Sequence, residues 1–164
     1  MKTLKKISLR EVGMTCHVLT SEEMRSTIGG WDGTCVYHVL AYVGSAEGCG
    51  PTDMGDYLTD YASMYSDVNP YTAMTMGVSN TRVTDFASNY YDVQQLGSLS
   101  NNDIAADGTV MGIINTPEGA HAVVFTGVTE GGQISYYDPQ NGIIDTTSGS
   151  GVISAYNLSC KPED

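Results

Sequence analysis

The spacing of apolar residues changes character once along this chain, and that change restricts the folds open to it. Cys35, Val36, Val39, Leu40 and Val43 lay one apolar stripe along a helix that ends at Gly44. Gly48-Cys49-Gly50-Pro51 breaks the chain, and Pro51-Thr52-Asp53 opens a second helix to about Tyr65, striped by Met54, Leu58, Tyr61 and Tyr65. After a loop containing Asn69-Pro70, a third helical pattern runs from about Asn80 to Tyr91 through Val83, Phe86, Ala87 and Tyr90. From there the β-branched and aromatic runs Thr109–Asn115, His121–Val128, Gln133–Asp138 and Gly151–Tyr156 read as strands separated by Gly, Asn and Pro turns, with Glu130-Gly131-Gly132 as a hairpin turn. Helices first and an antiparallel sheet second is the α+β layout.

The 164 residues suffice for one domain with a real core, and 41% apolar content with eleven Tyr argues for a folded chain. Charge divides at Gly29-Gly30. Residues 1–30 carry five basic side chains against three acids, whereas 31–164 carry only Arg82 and Lys161 against sixteen acids. A domain so poor in cations cannot neutralise phosphates, which excludes nucleic acid and anionic membrane surfaces as partners. No apolar run is long enough to cross a bilayer or to serve as the h-region of a Sec signal, so this does not read as a membrane protein. The Gly, Ser, Thr, Asn and Tyr that replace a Lys/Glu surface hint at life outside the cell.

The first thirty residues read instead as a short amphipathic helix. Thr20 or Ser21 caps it, Glu22 and Glu23 occupy its positive first turn, and Gly29-Gly30 stops it. Composition alone also permits an ordinary N-terminal helix of the domain. The run Leu19-Thr20-Ser21-Glu22-Glu23-Met24-Arg25-Ser26-Thr27-Ile28-Gly29-Gly30 resembles the double-glycine leader of bacteriocin-type precursors: Leu19, Thr20, Glu23, Met24, Gly29 and Gly30 fall on the positions of that pattern. Thr27 departs from it, since an apolar residue is usual there. The resemblance implies recognition by a peptidase-containing ABC exporter, cleavage after Gly30, and secretion of a chain of residues 31–164.

Within that chain, Cys35 sits in the first turn of its helix, where the N-terminal dipole favours the thiolate that attacks carbonyls. A buried core cysteine is the plainer alternative. His121 begins one strand and Asp138-Pro139 ends the next. They lie roughly ten residues back from, and about seven beyond, the hairpin turn, so the carboxylate can orient the imidazole.

This order of nucleophile, base and orienter resembles the papain-like cysteine peptidases, and most closely the C39-like branch. The residues that carry the resemblance are Gly33-Thr34-Cys35-Val36-Tyr37, His121-Ala122-Val123-Val124-Phe125-Thr126-Gly127 and Tyr137-Asp138-Pro139. It implies a papain-like α+β fold over most of 33–145, with Cys35 as nucleophile, His121 as general base and acid, and Asp138 as the group that holds the imidazole. Gly48-Cys49-Gly50-Pro51-Thr52 also resembles the start of some C39-like peptidases, which makes Cys49 a rival nucleophile. Cys35 is preferred because a second helix and the Gly77-Val78-Ser79 turn then follow at the family's spacing.

Three cysteines remain after Gly30. If Cys49 and Cys160 pair in an oxidising exterior, Cys35 keeps its thiol; pairing Cys35 with either of them implies an inert fold. The family places a Gln about six residues before the Cys, where this chain has Gly29, and no Gln precedes Gln94. Two readings stand: a C39-like cysteine peptidase hydrolysing peptide or amide bonds, with the Cys35 backbone N–H and Thr34 replacing the missing donor, or an inactive papain-like secreted effector or bacteriocin-like protein. No cofactor or metal is expected. His38 lies one turn from Cys35 without a third ligand at usable spacing, and the Asp residues lack an EF-hand pattern. The tyrosines read as packing, not as a binding stripe.

Overall fold

The computed structural model describes residues 27–28, 33–105 and 107–162. Among them are five helices: α1 (Cys35–Glu47), α2 (Met54–Met64), α3 (Pro70–Met76), α4 (Val83–Ala87) and α5 (Asn101–Ile104). The strands are β1 (Thr27–Ile28), β2 (Val78–Ser79), β3 (Tyr91–Gln95), β4 (Thr109–Thr116), β5 (Gly119–Val128), β6 (Ile134–Asp138), β7 (Ile143–Thr147) and β8 (Val152–Cys160). They form one sheet in the order β2-β1-β5-β4-β8-β3, with β6 added to β5 and β7 to β6. All pairings are antiparallel except the parallel contact of β1 with β5.

The alternation of each strand supplies two apolar faces. Met111, Ile113, Ala120, Ala122 and Val124 join α1 to α4 in the larger cluster, while Val110, Ile114, Val123, Phe125, Ile134 and Tyr136 form a second cluster on the opposite face. Every member of the α1 stripe is fully buried. Tyr37, Tyr61, Phe86 and Tyr90 make tilted and edge-to-face pairs between α1, α2 and α4. The hydroxyls of that core find partners: Tyr57 bonds Tyr91, and Tyr91 donates to the Leu40 carbonyl at 3.0 Å. Burial pushes both phenols well above the ordinary tyrosine range.

Several elements depart from the sequence reading. Asn69-Pro70 does not lie in a loop: it opens α3, with the Asn69 side chain accepting from the Thr72 N–H and Pro70 in the first turn. The third helix covers only Val83–Ala87, and Tyr91 begins β3 because its ring and hydroxyl are drawn between Leu40 and Tyr57. Strands therefore do not wait for the helices to finish. The helix expected to run up to Gly29-Gly30 is also corrected where the structure describes it, because Thr27–Ile28 is extended and pairs with both β2 and β5.

A candidate active site at a gap in the sheet edge

One edge of β5 is occupied by β4 along most of its length, whereas the other edge changes partner. β1 pairs there at Ala120, and β6 takes over from Val124 to Val128. Residues 121–123 lie in the gap between these two partners. An unpaired strand edge offers backbone groups that need other acceptors, and here α1 supplies one: the Ala122 N–H donates to Cys35 Sγ at 3.3 Å. The gap thus brings the first residue of α1 against the strand that carries His121.

Gly33 makes that approach possible. Its φ is +67°, and a Cβ there would run into the backbone between Met74 and Gly77. Thr34 follows as the N-cap without a side-chain cap bond, and Cys35 is the first helical residue, with no exposed surface. The first N–H groups of an α-helix have no intrahelical acceptors, so this end presents partial positive charge to the thiol.

His121 Nε2 lies 2.8 Å from Asp138 Oδ2. Continuing the β5–β6 register places His121 opposite Gln140 and diagonal to Asp138, within reach of a long side chain. The bulge between Phe125 and Gly127 absorbs one residue of the unequal arms, and the diagonal absorbs the other two. Asp138 is nearly fully buried. Its Oδ1 accepts from the Gln140 N–H at 2.9 Å and the Asn141 N–H at 3.3 Å, and its Oδ2 accepts from Asn141 Nδ2 at 2.7 Å. Burial alone would push the carboxyl up, but the hydrogen bonds from Asn141 and His121 outweigh it and hold it below the usual range. A carboxylate there keeps the imidazole proton on Nε2 and leaves Nδ1 as the basic nitrogen.

Such a fold has a solved counterpart. No protein-family model matches the sequence, and no curated protein matches it. The crystal structure of the peptidase domain of Streptococcus ComA, a bi-functional ABC transporter involved in a quorum-sensing pathway, matches with a TM-score of 0.54 at 14% identity, covering 84% of this chain and 99% of that one. The fold is C39 peptidase-like. At that identity the likeness is one of fold, and the site must be judged on its own geometry.

That geometry pairs His121 with Asp138 and sets Cys35 Sγ against the N–H of Ala122, the residue after His121, with each of the three on the element expected of it. Cys49 is elsewhere: it is disulfide-bonded to Cys160, with Cα atoms 5.8 Å apart and a sequence separation of 111, while Cys35 keeps its thiol. The disulfide removes the rival nucleophile. Leu19, Glu23, Met24, Gly29 and Gly30 lie outside the described residues. His38 is half-buried on α1. Sequence reasoning missed Gln140 and Asn141. Both follow Asp138-Pro139 in a tight Asx-type turn, the one local signal that marks them. Gln140 also reaches the start of α1, where its Nε2 donates to Thr34 Oγ1 at 3.3 Å.

Proposed function

We propose that this is an exported C39-like cysteine peptidase, made with a double-glycine leader and hydrolysing peptide or amide bonds through Cys35, His121 and Asp138. The observation that carries the reading is the convergence at the β5 gap: a thiol at a helix N-terminus, against the strand of a histidine that a buried carboxylate orients. His121 Nδ1 takes the Cys35 proton, and Sγ forms a bond to the substrate carbonyl carbon as the π pair moves to oxygen. Collapse re-forms the carbonyl and expels the amine, which takes the proton from the imidazolium. A water deprotonated by His121 then cleaves the thioester, releasing the acid and restoring the thiol.

The leader fits this scheme as both an address and a plug. An ABC exporter that carries its own peptidase would recognise residues 19–30 and cut after Gly30, releasing residues 31–164 to meet a peptide substrate outside the cell. Support for the plug comes from β1, which pairs with Val78 and with Ala120, the neighbour of His121, and from the complete burial of Cys35. Cleavage after Gly30 would take β1 away and open the slot between β2 and β5. Labelling with E-64 tests this. Residues 31–164 should be modified at Cys35 faster than the full-length chain, and not at all with His121→Ala. Equal rates in the two forms would refute the plug, and an unlabelled Cys35 in 31–164 would favour an inactive effector on the same frame.

A further inference from the structure

A carboxylate taken out of water keeps its charge only where hydrogen-bond donors replace the solvent. Asp138 is nearly fully buried, and four donors converge on it. The Gln140 and Asn141 N–H groups meet Oδ1 at 2.9 and 3.3 Å, while His121 Nε2 and Asn141 Nδ2 meet Oδ2 at 2.8 and 2.7 Å. Four is about the number of acceptor positions that an ionised carboxylate offers. The two donors on Oδ1 belong to the backbone of the turn and cannot reverse. On Oδ2, the oxygen that holds the imidazole, the second place is taken by the Asn141 amide. A proton arriving there has to face an NH2 group, so the amide must turn over before Asp138 can become neutral. The turn itself sets that amide in place: the Gly142 N–H donates to the Asp138 carbonyl at 2.8 Å and closes the loop around Asn141, with Gly142 at a φ of +69°.

We infer that Asn141 is a positioning residue of this site, its amide keeping Asp138 ionised, and His121 therefore oriented, in acid that would neutralise a buried carboxyl without it. This rests on the peptidase reading above. Burial pushes the Asp138 carboxyl up, and the Asn141 side chain, ahead of His121, pulls it back below the usual range. Losing the Asn141 donor therefore raises the pH at which Asp138 takes up a proton. A protonated Asp138 no longer holds the imidazole proton on Nε2. Titratable groups also face this carboxylate from three elements: His121 on β5, Cys35 on α1 against the residue after His121, and Tyr136 on β6. The Tyr136 phenol is raised by burial, then by the charges of Asp145 on β7 and of Asp138 itself. Substitution at position 141 leaves all of these groups in the chain.

The test compares wild type with Asn141→Leu, which keeps the bulk of the side chain without its donor, and Asn141→Asp, which sets a second carboxyl against the first. The Asp138 carboxyl carbon is followed against pH by NMR in the full-length chain, with Asp138→Asn assigning the signal. Loss of one hydrogen bond to a charged group should make Asp138 about ten- to a hundred-fold easier to protonate in Asn141→Leu. Asn141→Asp should go further, because one of two carboxyls sharing a site retains its proton, and it decides the matter if the leucine variant does not fold. Turnover of acetyl-Gly-Gly p-nitrophenyl ester is followed over the same pH range in the full-length chain and in the processed chain of residues 31–164. The ratio of wild-type to variant kcat should grow by the same factor as pH falls, with KM unmoved. An Asp138 signal that titrates alike in wild type and in the folded variants overturns the inference and leaves the peptidase reading intact. A signal that moves while the kcat ratio stays flat with pH makes Asn141 a structural residue and overturns it as well. A wild-type chain that turns over the ester in neither form overturns the peptidase reading and this inference with it.

Discussion

Asp138→Asn is the substitution most sharply constrained by the structure. The new amide has two orientations, and the backbone chooses between them. Asp138 Oδ1 accepts from the N–H groups of Gln140 and Asn141, which cannot turn away, so the asparagine oxygen must stay there. Its NH2 then replaces Oδ2 and faces His121 Nε2 and Asn141 Nδ2, which lie 2.8 and 2.7 Å from that oxygen. Asn141 can flip its own amide to present oxygen. His121 can only move its proton to Nδ1, the nitrogen needed to take the proton of Cys35. The charge-assisted hydrogen bonds to the carboxylate become neutral ones, so stability should fall by roughly 1–3 kcal/mol, while turnover should fall by a factor on the order of 10⁴, as for other triads with the wrong tautomer. Chemical denaturation and peptide turnover measure the two effects. The acid limb carries a further sign. The Asp138 carboxyl lies below its usual range when folded, so it contributes stability above about pH 3.9 that is lost as pH falls through the folded value; the variant lacks this contribution. An Asp138→Asn protein with wild-type turnover would refute the proposed role of the carboxylate.

Two further outcomes concern the frame. Replacing Cys49 and Cys160 together by Ser removes a cross-link closing 111 residues, which chain entropy values at about 5 kcal/mol at 25 °C; a denaturation midpoint unchanged by the double substitution would refute that. Gly112→Ala should destabilise by about 1–3 kcal/mol, because its methyl would overlap the buried Phe125 ring where β4 crosses between β5 and β8, and Phe125→Leu should recover part of the loss in the double variant.

Period carried most of the fold. The α1 stripe and the strands β4, β5 and β6 are legible because each buries one or two faces and repeats accordingly. Where residues have two uses, the sequence misleads. Asn and Pro both end loops and begin helices, and Asn69-Pro70 does the latter. Tyr90 continues the helical stripe of α4 in sequence, yet packing of Tyr91 against Tyr57 pulls the chain into β3. β7 is invisible to period because it is an edge strand with nearly every residue exposed. In the site, Cys35, His121 and Asp138 each sit on a recognisable local pattern. The contact of Gln140 with Thr34 has no local pattern, since the sheet alone decides that positions 106 residues apart meet.

The disulfide and the thiol lie at opposite ends of one 13-residue helix, and this matters for how the chain oxidises. In an unstructured chain Cys35 meets Cys49 across 14 residues far more readily than Cys49 meets Cys160 across 111. The loop-closure difference is about 1.8 kcal/mol, roughly twenty-fold in favour of the wrong pair. Once α1 forms, about 20 Å of helix separates its ends, and sulfurs that far apart cannot bond. Helix formation therefore acts as the proofreader of oxidative folding: a chain oxidised before α1 is in place is trapped with its reactive thiol consumed, and one oxidised afterwards retains it.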